Sequence, residues 1–152
     1  MLDKPMAFTL ASQGILQTLE TNALITSKYI EKNTSYDLTI RNVLWDTGAS
    51  KSTISPRVVN DLNLTPMGIC TLSTANGLVQ AKTYVVDIGL PNKVTIKDVM
   101  VSCADIGDNI DALIGMDIIT LGDFSVTNVN GKTKFSFRIP SVKAIDYVKE
   151  DV

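Results

Sequence analysis

Short runs of apolar, often β-branched residues alternate with clusters of Gly, Asn, Asp and Pro along most of the chain. Turn residues recur about every ten positions, which is typical of an all-β domain built from short strands. Residues 7–26 predict two or three strands with bends at Gln13-Gly14 and near Thr21-Asn22, and the polar residues 27–38 predict a surface loop. Further strands are predicted at residues 38–45, 53–54, 93–101 and 111–114.

Two short helices interrupt this pattern. Ser55 can cap the first helix and Pro56 suits its first position, while Asn63 and Pro66 end it. A second short helix is predicted to follow the strand at 111–114, with an acidic residue in its first turn, where the helix dipole favours a negative charge, and Gly122 after its end.

Two Asn-Gly pairs predict β-hairpins. Asn76-Gly77 lies within residues 68–90, and a two-residue turn there would place Thr74 opposite Val79. Residues 124–139 form the clearer case, with a two-residue turn at Asn130-Gly131. That turn puts four apolar residues on one face, which is either core or interface. The predicted pairs are Val126 with Phe135 and Phe124 with Phe137.

Length and composition limit which architectures and which partners are possible. A chain of 152 residues with 45% hydrophobic content predicts one domain over 1–152, with a core at about 7–139 and a polar tail at 140–152. The formal charge of −2 and the lack of a basic cluster argue against a nucleic-acid partner. No basic segment followed by an apolar stretch opens the chain, and no apolar run is long enough to span a membrane. We therefore expect a cytoplasmic location and no membrane partner.

The chain contains no histidine, which removes whole classes of chemistry. Neither a Ser-His-Asp triad nor a Cys-His pair can form, and zinc sites lose their commonest ligand. Cys70 and Cys103 lack metal-like spacing, and two buried thiols in a reducing compartment are favoured over a disulfide. We expect no metal and no cofactor, so any catalysis must use carboxylates, lysines or hydroxyls.

The stretch "LWDTGAS" at residues 44–50 carries the strongest chemical signal. Asp46 directly follows an apolar strand, where its carboxylate loses water. Buried carboxylates without a cation are uncommon unless the protein uses them. The alternative is an ordinary Asp-Thr-Gly surface turn, against which the apolar residues Leu44 and Trp45 argue.

In order and spacing, residues 38–139 resemble the retropepsin-like aspartic proteases, the family of retroviral proteases, and most nearly its small single-domain bacterial members. The motifs that carry the resemblance are "LWDTGAS" (44–50), "TANGL" (74–78) and "DALIGMDIITLGDF" (111–124). The resemblance implies an all-β fold, a closed or partly open β-barrel with one or two short helices and a hairpin flap. It also implies activity as a homodimer.

The resemblance assigns the catalytic turn to Asp46, Thr47 and Gly48. Two carboxylates that share one proton can both deprotonate water and protonate the peptide carbonyl. Thr47 would bond backbone across the site, and Gly48 would leave a carboxylate oxygen accessible. Because the chain has one Asp-Thr-Gly turn, the second aspartate would come from a second chain across a twofold axis.

The same resemblance implies the substrate-binding residues. The flap would close over the substrate with the backbone of its tip, although the tip is more polar than in retroviral enzymes and an ordinary surface hairpin is the alternative. Lys51 would favour an acidic substrate side chain or simply point to solvent, and Leu113 would line an apolar pocket or pack in the core. The expected substrate-binding residues are Ala49, Ser50, Lys51, Thr53, Ala75, Asn76, Gly77, Leu78, Leu113 and Ile114.

The sequence therefore predicts a homodimeric aspartic endopeptidase that cleaves an extended polypeptide. Its substrate would lie as a strand between the active-site floor and the flaps, in pockets expected to be apolar. The alternative is a non-catalytic peptide-binding or protein-binding module on the same fold, and a purely structural all-β domain is the third interpretation. The intact Asp-Thr-Gly argues against a binding module, because a binder has no need of a carboxylate that is costly to desolvate.

Overall fold

The computed structural model describes residues 4–27 and 39–150. The strands are β1 (Met6–Ala11), β2 (Leu19–Ser27), β3 (Ile40–Trp45), β4 (Thr53–Ile54), β5 (Gly68–Thr74), β6 (Gly77–Gly89), β7 (Thr95–Cys103), β8 (Ala112–Ile114), β9 (Asp123–Thr127) and β10 (Lys134–Ile139). They form a three-stranded sheet in the order β1-β10-β9 and a seven-stranded sheet in the order β2-β3-β8-β4-β7-β6-β5. The all-β prediction with short helices is confirmed. The helices are α1 (Pro56–Asp61) and α2 (Met116–Ile119), and a 3₁₀ turn spans Val129–Gly131.

Strand β2 closes the larger sheet into a ring. Its first part pairs with β3, from Leu19 opposite Trp45 to Leu24 opposite Ile40. Its last residues, up to Ser27, pair with β6. The bend predicted near Thr21-Asn22 is therefore wrong, because a single continuous strand bridges two neighbours. The ring leaves β5 outside as a hairpin arm on β6, which matches the predicted partly open barrel.

The core lies inside the ring and beneath the smaller sheet. The ring contributes aliphatic residues such as Val43 and Ile54, both fully buried. Trp45 lies among the phenylalanines, with ring centroids 5.0 Å from Phe137 and 5.3 Å from Phe135. The apolar face predicted for the last hairpin is thus mainly core in this chain.

Helix α1 begins and ends close to the predicted residues. The Val58 N–H donates to Ser55 Oγ at 3.4 Å, and proline occupies the start of the helix. Asn63 follows the helix with a φ of 48°, which stops the helical path. The Arg41 guanidinium, only 3% exposed, donates to the Asp61 carboxylate at 2.8 Å and ties α1 to β3.

The register of the last hairpin is confirmed, with Phe135 opposite Val126 and Phe137 opposite Phe124. The connection is longer than the predicted two-residue turn, because the ladder ends at Lys134 opposite Thr127. Asn130-Gly131 still adopts positive φ angles of 55° and 71°.

The register predicted for the β5–β6 hairpin is wrong. Thr74 lies opposite Gly77 rather than Val79, so Ala75 and Asn76 form the turn. A two-residue type I′ turn needs positive φ at both central residues. In this hairpin Gly77 alone takes positive φ, at 109°, and Asn76 does not.

The polar tail is anchored at its start. Asp123 accepts hydrogen bonds from the Ser141 hydroxyl and from the Val142 N–H at 3.0 Å, and it pairs with Arg138 at 2.7 Å. These bonds, that of Ser141 foremost, lower the pKa of the Asp123 carboxyl well below its ordinary value.

Three other expectations concern the remaining chain. Both cysteines are free thiols, as predicted, but each is only half-buried. Burial raises the pKa of the Cys103 thiol, and the nearby Lys82 opposes this shift.

The predicted loop at 27–38 lies outside the described residues except for Ser27, which belongs to β2. Neither helix of the described residues has the length and hydrophobicity that a membrane-spanning helix needs.

Candidate active site

The Asp-Thr-Gly turn leaves the end of strand β3 at the rim of the ring. Strand β3 runs parallel to β8, with Trp45 opposite Ile114. The Asp46 N–H then donates to the Ile114 carbonyl at 2.9 Å, so the turn starts at a fixed point on β8. The apolar strand that precedes the acid thus anchors it, as the sequence predicted.

Hydrogen bonds within the turn orient the Asp46 carboxylate. Gly48 N–H donates to Asp46 Oδ1 at 2.8 Å, and Ala49 N–H donates to the Asp46 carbonyl at 3.3 Å. A Cβ atom at Gly48 would lie 3.1 Å from Asp46 Oδ1, so glycine makes room for the carboxylate. In a single chain Asp46 is half-buried, while Thr47 and Gly48 are exposed.

The turn between β8 and α2 supports the chain that follows Asp46. Met116 N–H donates to the Ala49 carbonyl at 2.8 Å. A Cβ atom at Gly115 would lie 2.8 Å from the Ala49 oxygen and 2.9 Å from the Lys51 oxygen. Only glycine permits this close approach of two backbone segments.

Asp117 braces the same segment with its side chain. Its carboxylate accepts from the Ser52 N–H at 3.0 Å and from the Ser52 hydroxyl at 2.8 Å. Ser52 is 1% exposed, and its oxygen in turn accepts from the Gly115 N–H at 3.1 Å. Sequence reasoning placed Asp117 only at a helix start and missed Ser52, since no local pattern links residues so far apart along the chain.

The predicted pocket residues fall on two different faces of the ring. Thr53 lies opposite Leu113, and both side chains are half-buried on the outer face. Ile114 is fully buried on the core face. Neighbouring strand residues point to opposite faces, so the Ile114 side chain packs in the core while Leu113 faces outward. Ile114 instead supports the turn through its carbonyl oxygen.

The remaining predicted residues are exposed or lie next to the turn. Ser50 and Lys51 are exposed, and Lys51 forms no ion pair within the described ranges. Ala75 and Asn76 form the tip of the β5–β6 hairpin, whose turn is closed by the Thr74 hydroxyl donating to the Gly77 carbonyl at 2.8 Å. Leu78, just past the tip, is 75% exposed.

The other acids near the ring have partners of their own. Asp111 accepts from Arg57 at 2.6 Å and from the Asn42 N–H at 2.8 Å. Asp117 is bound to Ser52, and Asp123 to Arg138. In the part of the chain that the structure describes, no group of three or more His, Cys, Asp or Glu residues could hold a metal ion.

A closed β-ring with an Asp-Thr-Gly turn at its rim is the arrangement typical of aspartic proteases. Comparison with known proteins agrees: residues 36–118 match the family model described as aspartyl protease. The chain belongs to this family. A search of curated proteins found no significant match.

Solved structures show the same fold. A retropepsin-like aspartic protease from Rickettsia conorii is similar at a TM-score of 0.56 and 15% identity, over 90% of this chain and 96% of that one. The EIAV protease complexed with the inhibitor HBY-793 is similar at a TM-score of 0.52 and 24% identity, over 68% of this chain and 86% of that one. The retropepsin-like fold predicted from the sequence is thereby confirmed.

Proposed function

We propose that the chain is an aspartic endopeptidase in which two copies each contribute Asp46 to one active site. The family supports aspartic protease activity. The observation that favours a site shared by two copies is the number of carboxylates that one chain presents. Its Asp-Thr-Gly turn places a single carboxylate at the rim. The nearby carboxylates of Asp111 and Asp117 are hydrogen-bonded to Arg57 and Ser52.

The surface around the turn supports a twofold arrangement. Thr47 is exposed, and its hydroxyl has no hydrogen-bond partner among the residues that the structure describes. A hydroxyl at this position can bond the backbone of a second copy, which would bring the two Asp46 carboxylates together. Twofold contacts come in identical pairs, so each bond would form twice.

The chemistry needs no group beyond the two carboxylates and water. One carboxylate takes a proton from water, whose oxygen attacks the peptide carbonyl carbon, while the other gives its proton to the carbonyl oxygen. The first carboxyl then gives its proton to the nitrogen as the C–N bond breaks, a hydroxyl of the tetrahedral diol gives its proton to the other carboxylate, and the pair again holds one proton. Two close carboxylates resist double ionisation, so they share a proton.

The elements beside the turn would bind an extended peptide. We place the substrate as a strand between the Asp46 turns and the β5–β6 hairpins, which would act as flaps. Ala49, Ser50 and Lys51 would lie along its backbone, and the hairpin tip at Ala75 and Asn76 would cover it. Closure of such a hairpin would exclude water from the reaction.

The test is a digest of an unbiased peptide library with wild type and Asp46→Asn. This variant keeps the volume of the side chain but cannot share a charge, so we expect cleavage to fall by about 100-fold or more with folding retained. Asp108→Asn is the matched control, since residue 108 is exposed. Full activity of Asp46→Asn would refute the proposal, and absence of cleavage by wild type would favour the binding module.

Mixing the two chains separates a dimeric site from a monomeric one. Titrating excess Asp46→Asn into wild type should poison activity, because mixed dimers hold a single carboxylate. Activity that follows only the amount of wild-type chain, and does not fall on dilution, would contradict the shared site.

A further inference from the structure

The chain contains two Asn-Gly pairs, at residues 76–77 and 130–131, and both asparagines are exposed. An asparagine deamidates spontaneously more readily before glycine than before other residues, because glycine has no side chain to hinder the attack of its backbone nitrogen on the asparagine side chain. The reaction also needs a backbone that can bend toward that side chain. Because the two dipeptides are identical, the fold decides which of them reacts.

The pair at Asn130-Gly131 is held by hydrogen bonds. Gly131 N–H donates to the Asn128 carbonyl at 3.2 Å. The Thr133 hydroxyl donates to Asn128 Oδ1 at 2.7 Å, and the Thr133 N–H donates to the Gly14 carbonyl at 3.1 Å. Thr133 is 1% exposed, so the turn is fixed to a buried residue and to a neighbouring loop. The Gly131 nitrogen must leave this hydrogen-bonded turn before it can attack the Asn130 side chain.

The pair at Asn76-Gly77 lies at the free end of the β5–β6 hairpin. Thr74 opposite Gly77 is the last pair of this ladder. The bonds that close the turn run from the Asn76 N–H to the Thr74 hydroxyl at 3.3 Å and from that hydroxyl to the Gly77 carbonyl at 2.8 Å, and both are exposed to water. A Cβ atom at Gly77 would meet nothing within 4 Å, so no packed neighbour restrains the tip. The end of such an exposed ladder opens easily.

A new carboxylate would be the first charge on this hairpin. Residues 62–81 contain no Asp, Glu, Lys or Arg. Aspartate at residue 76 would be ionised at neutral pH, and isoaspartate would also lengthen the turn, because its main chain runs through Cβ and Cγ. The proposed dimer brings two hairpin tips over one substrate, so conversion of both would place like charges near each other.

We propose that Asn76 is a site of spontaneous deamidation, and that its conversion weakens closure of the β5–β6 hairpin over a substrate. The site stands on the geometry of the hairpin, whereas the effect on closure rests on the proposed function. The Gly77 nitrogen loses its proton to solvent base and attacks Asn76 Cγ, which forms a C–N bond and releases ammonia. Water then opens the resulting succinimide ring. Cleavage of the bond from nitrogen to Cγ gives aspartate, and cleavage of the bond to the backbone carbonyl carbon gives isoaspartate.

Peptide mapping by mass spectrometry tests the site directly, since each conversion replaces an amide group by a heavier carboxyl group. Folded wild type and chain unfolded in guanidinium chloride would be incubated side by side in mildly alkaline buffer. We expect similar rates at both asparagines in the unfolded chain. In the folded chain Asn130 should be slowed by about tenfold or more, because it must wait for local opening, whereas Asn76 should stay within about threefold of its unfolded rate. Equal slowing at both sites, or stronger slowing at Asn76, would overturn the inference.

Two substitutions that install the aspartate product test the effect on closure. Asn76→Asp carries the charge at the hairpin tip, and Asn130→Asp, at an exposed position on the other turn, is the matched control. We expect kcat/KM to fall by about twofold or more in Asn76→Asp, as two unit charges held close in water would produce, and to stay at the wild-type value in Asn130→Asp. Wild type should lose activity in step with conversion at residue 76. Asn76→Gln, whose longer side chain closes a ring far more slowly, should keep its own starting activity over the same incubation.

The two readouts keep this inference distinct from the catalytic proposal. Conversion at Asn76 with no cleavage by wild type would support the site and refute the peptidase. Cleavage that depends on Asp46 but does not change as Asn76 converts would overturn the effect on closure. Cleavage that depends on Asp46, with Asn76 no faster to convert than Asn130, would overturn the whole inference and leave the peptidase standing.

Discussion

Gly115→Ala adds one methyl group under the catalytic turn, and its effect follows from the geometry. Gly115 has a φ of −99°, which alanine adopts without strain, so the perturbation is purely steric. The new Cβ would lie 2.8 Å from the carbonyl oxygen of Ala49 and 2.8 Å from the carbonyl carbon of Lys51. Both are backbone atoms, so no side chain can rotate to relieve the contact.

The size of the displacement sets the expected loss. Ordinary contacts of a Cβ atom begin at 3.4 Å, so 3.4 minus 2.8 means that residues 49–51 and residue 115 must move apart by about 0.6 Å. A misplacement of about 1 Å at a catalytic site can cost about 100-fold in rate. We expect kcat to fall by about tenfold or more, and the overpacked turn to lose about 1–3 kcal/mol of unfolding free energy.

The assay pairs peptide cleavage with urea unfolding, so that activity is expressed per folded chain. The single tryptophan, Trp45, is 5% exposed and directly precedes Asp46, and its fluorescence therefore follows the folding of β3. Gly14→Ala is the control, because a Cβ there meets nothing within 4 Å. If Gly115→Ala kept wild-type kcat while remaining folded, the close packing of Gly115 against residues 49–51 would not position the catalytic turn.

Two further predictions concern the tail and the dimer. Because the folded pKa of Asp123 is lowered, the carboxylate stabilises the fold above its ordinary pKa of 3.8, and this contribution is lost as the pH falls below that value. The difference in urea midpoint between wild type and Asp123→Asn should thus shrink from pH 7 to pH 3, and a constant difference would contradict the anchoring role. Thr47→Val keeps the side-chain shape but removes the hydroxyl, leaving its partner unpaired at a cost of about 1–3 kcal/mol for each bond. Sedimentation should show weaker dimers with activity falling in parallel, and unchanged association would exclude Thr47 from the interface.

The fold was predictable where local chemistry decides the backbone. Ser55 and Pro56 set the start of α1, and the phenylalanines of the last hairpin fixed its register. The β5–β6 register was not predictable, because Asn76-Gly77 can form a two-residue turn but only Gly77 takes positive φ. Local sequence also missed the continuity of β2, since its last residues pair with the distant strand β6.

The candidate site, too, was predictable only in part. Asp46, Thr47 and Gly48 form a contiguous motif whose strand context is visible in the sequence. The brace between Asp117 and Ser52 joins separate elements, and only the folded chain brings them within hydrogen-bond distance. Side chains alternate between the two faces of β8, so Ile114 would have been assigned to the core if Leu113 had been assigned to the outer face.

Closure of the ring by β2 separates the chain into parts that can open at different free energies. Strands within the ring have hydrogen-bonded neighbours on both sides, so freeing any one of them breaks two ladders. Among the residues that the structure describes, β5 pairs with β6 alone, and most residues from 68 to 80 are exposed. Local unfolding begins where few apolar contacts are buried. The hairpin that would cover a substrate can therefore detach and re-form without loosening the strand that holds Asp46.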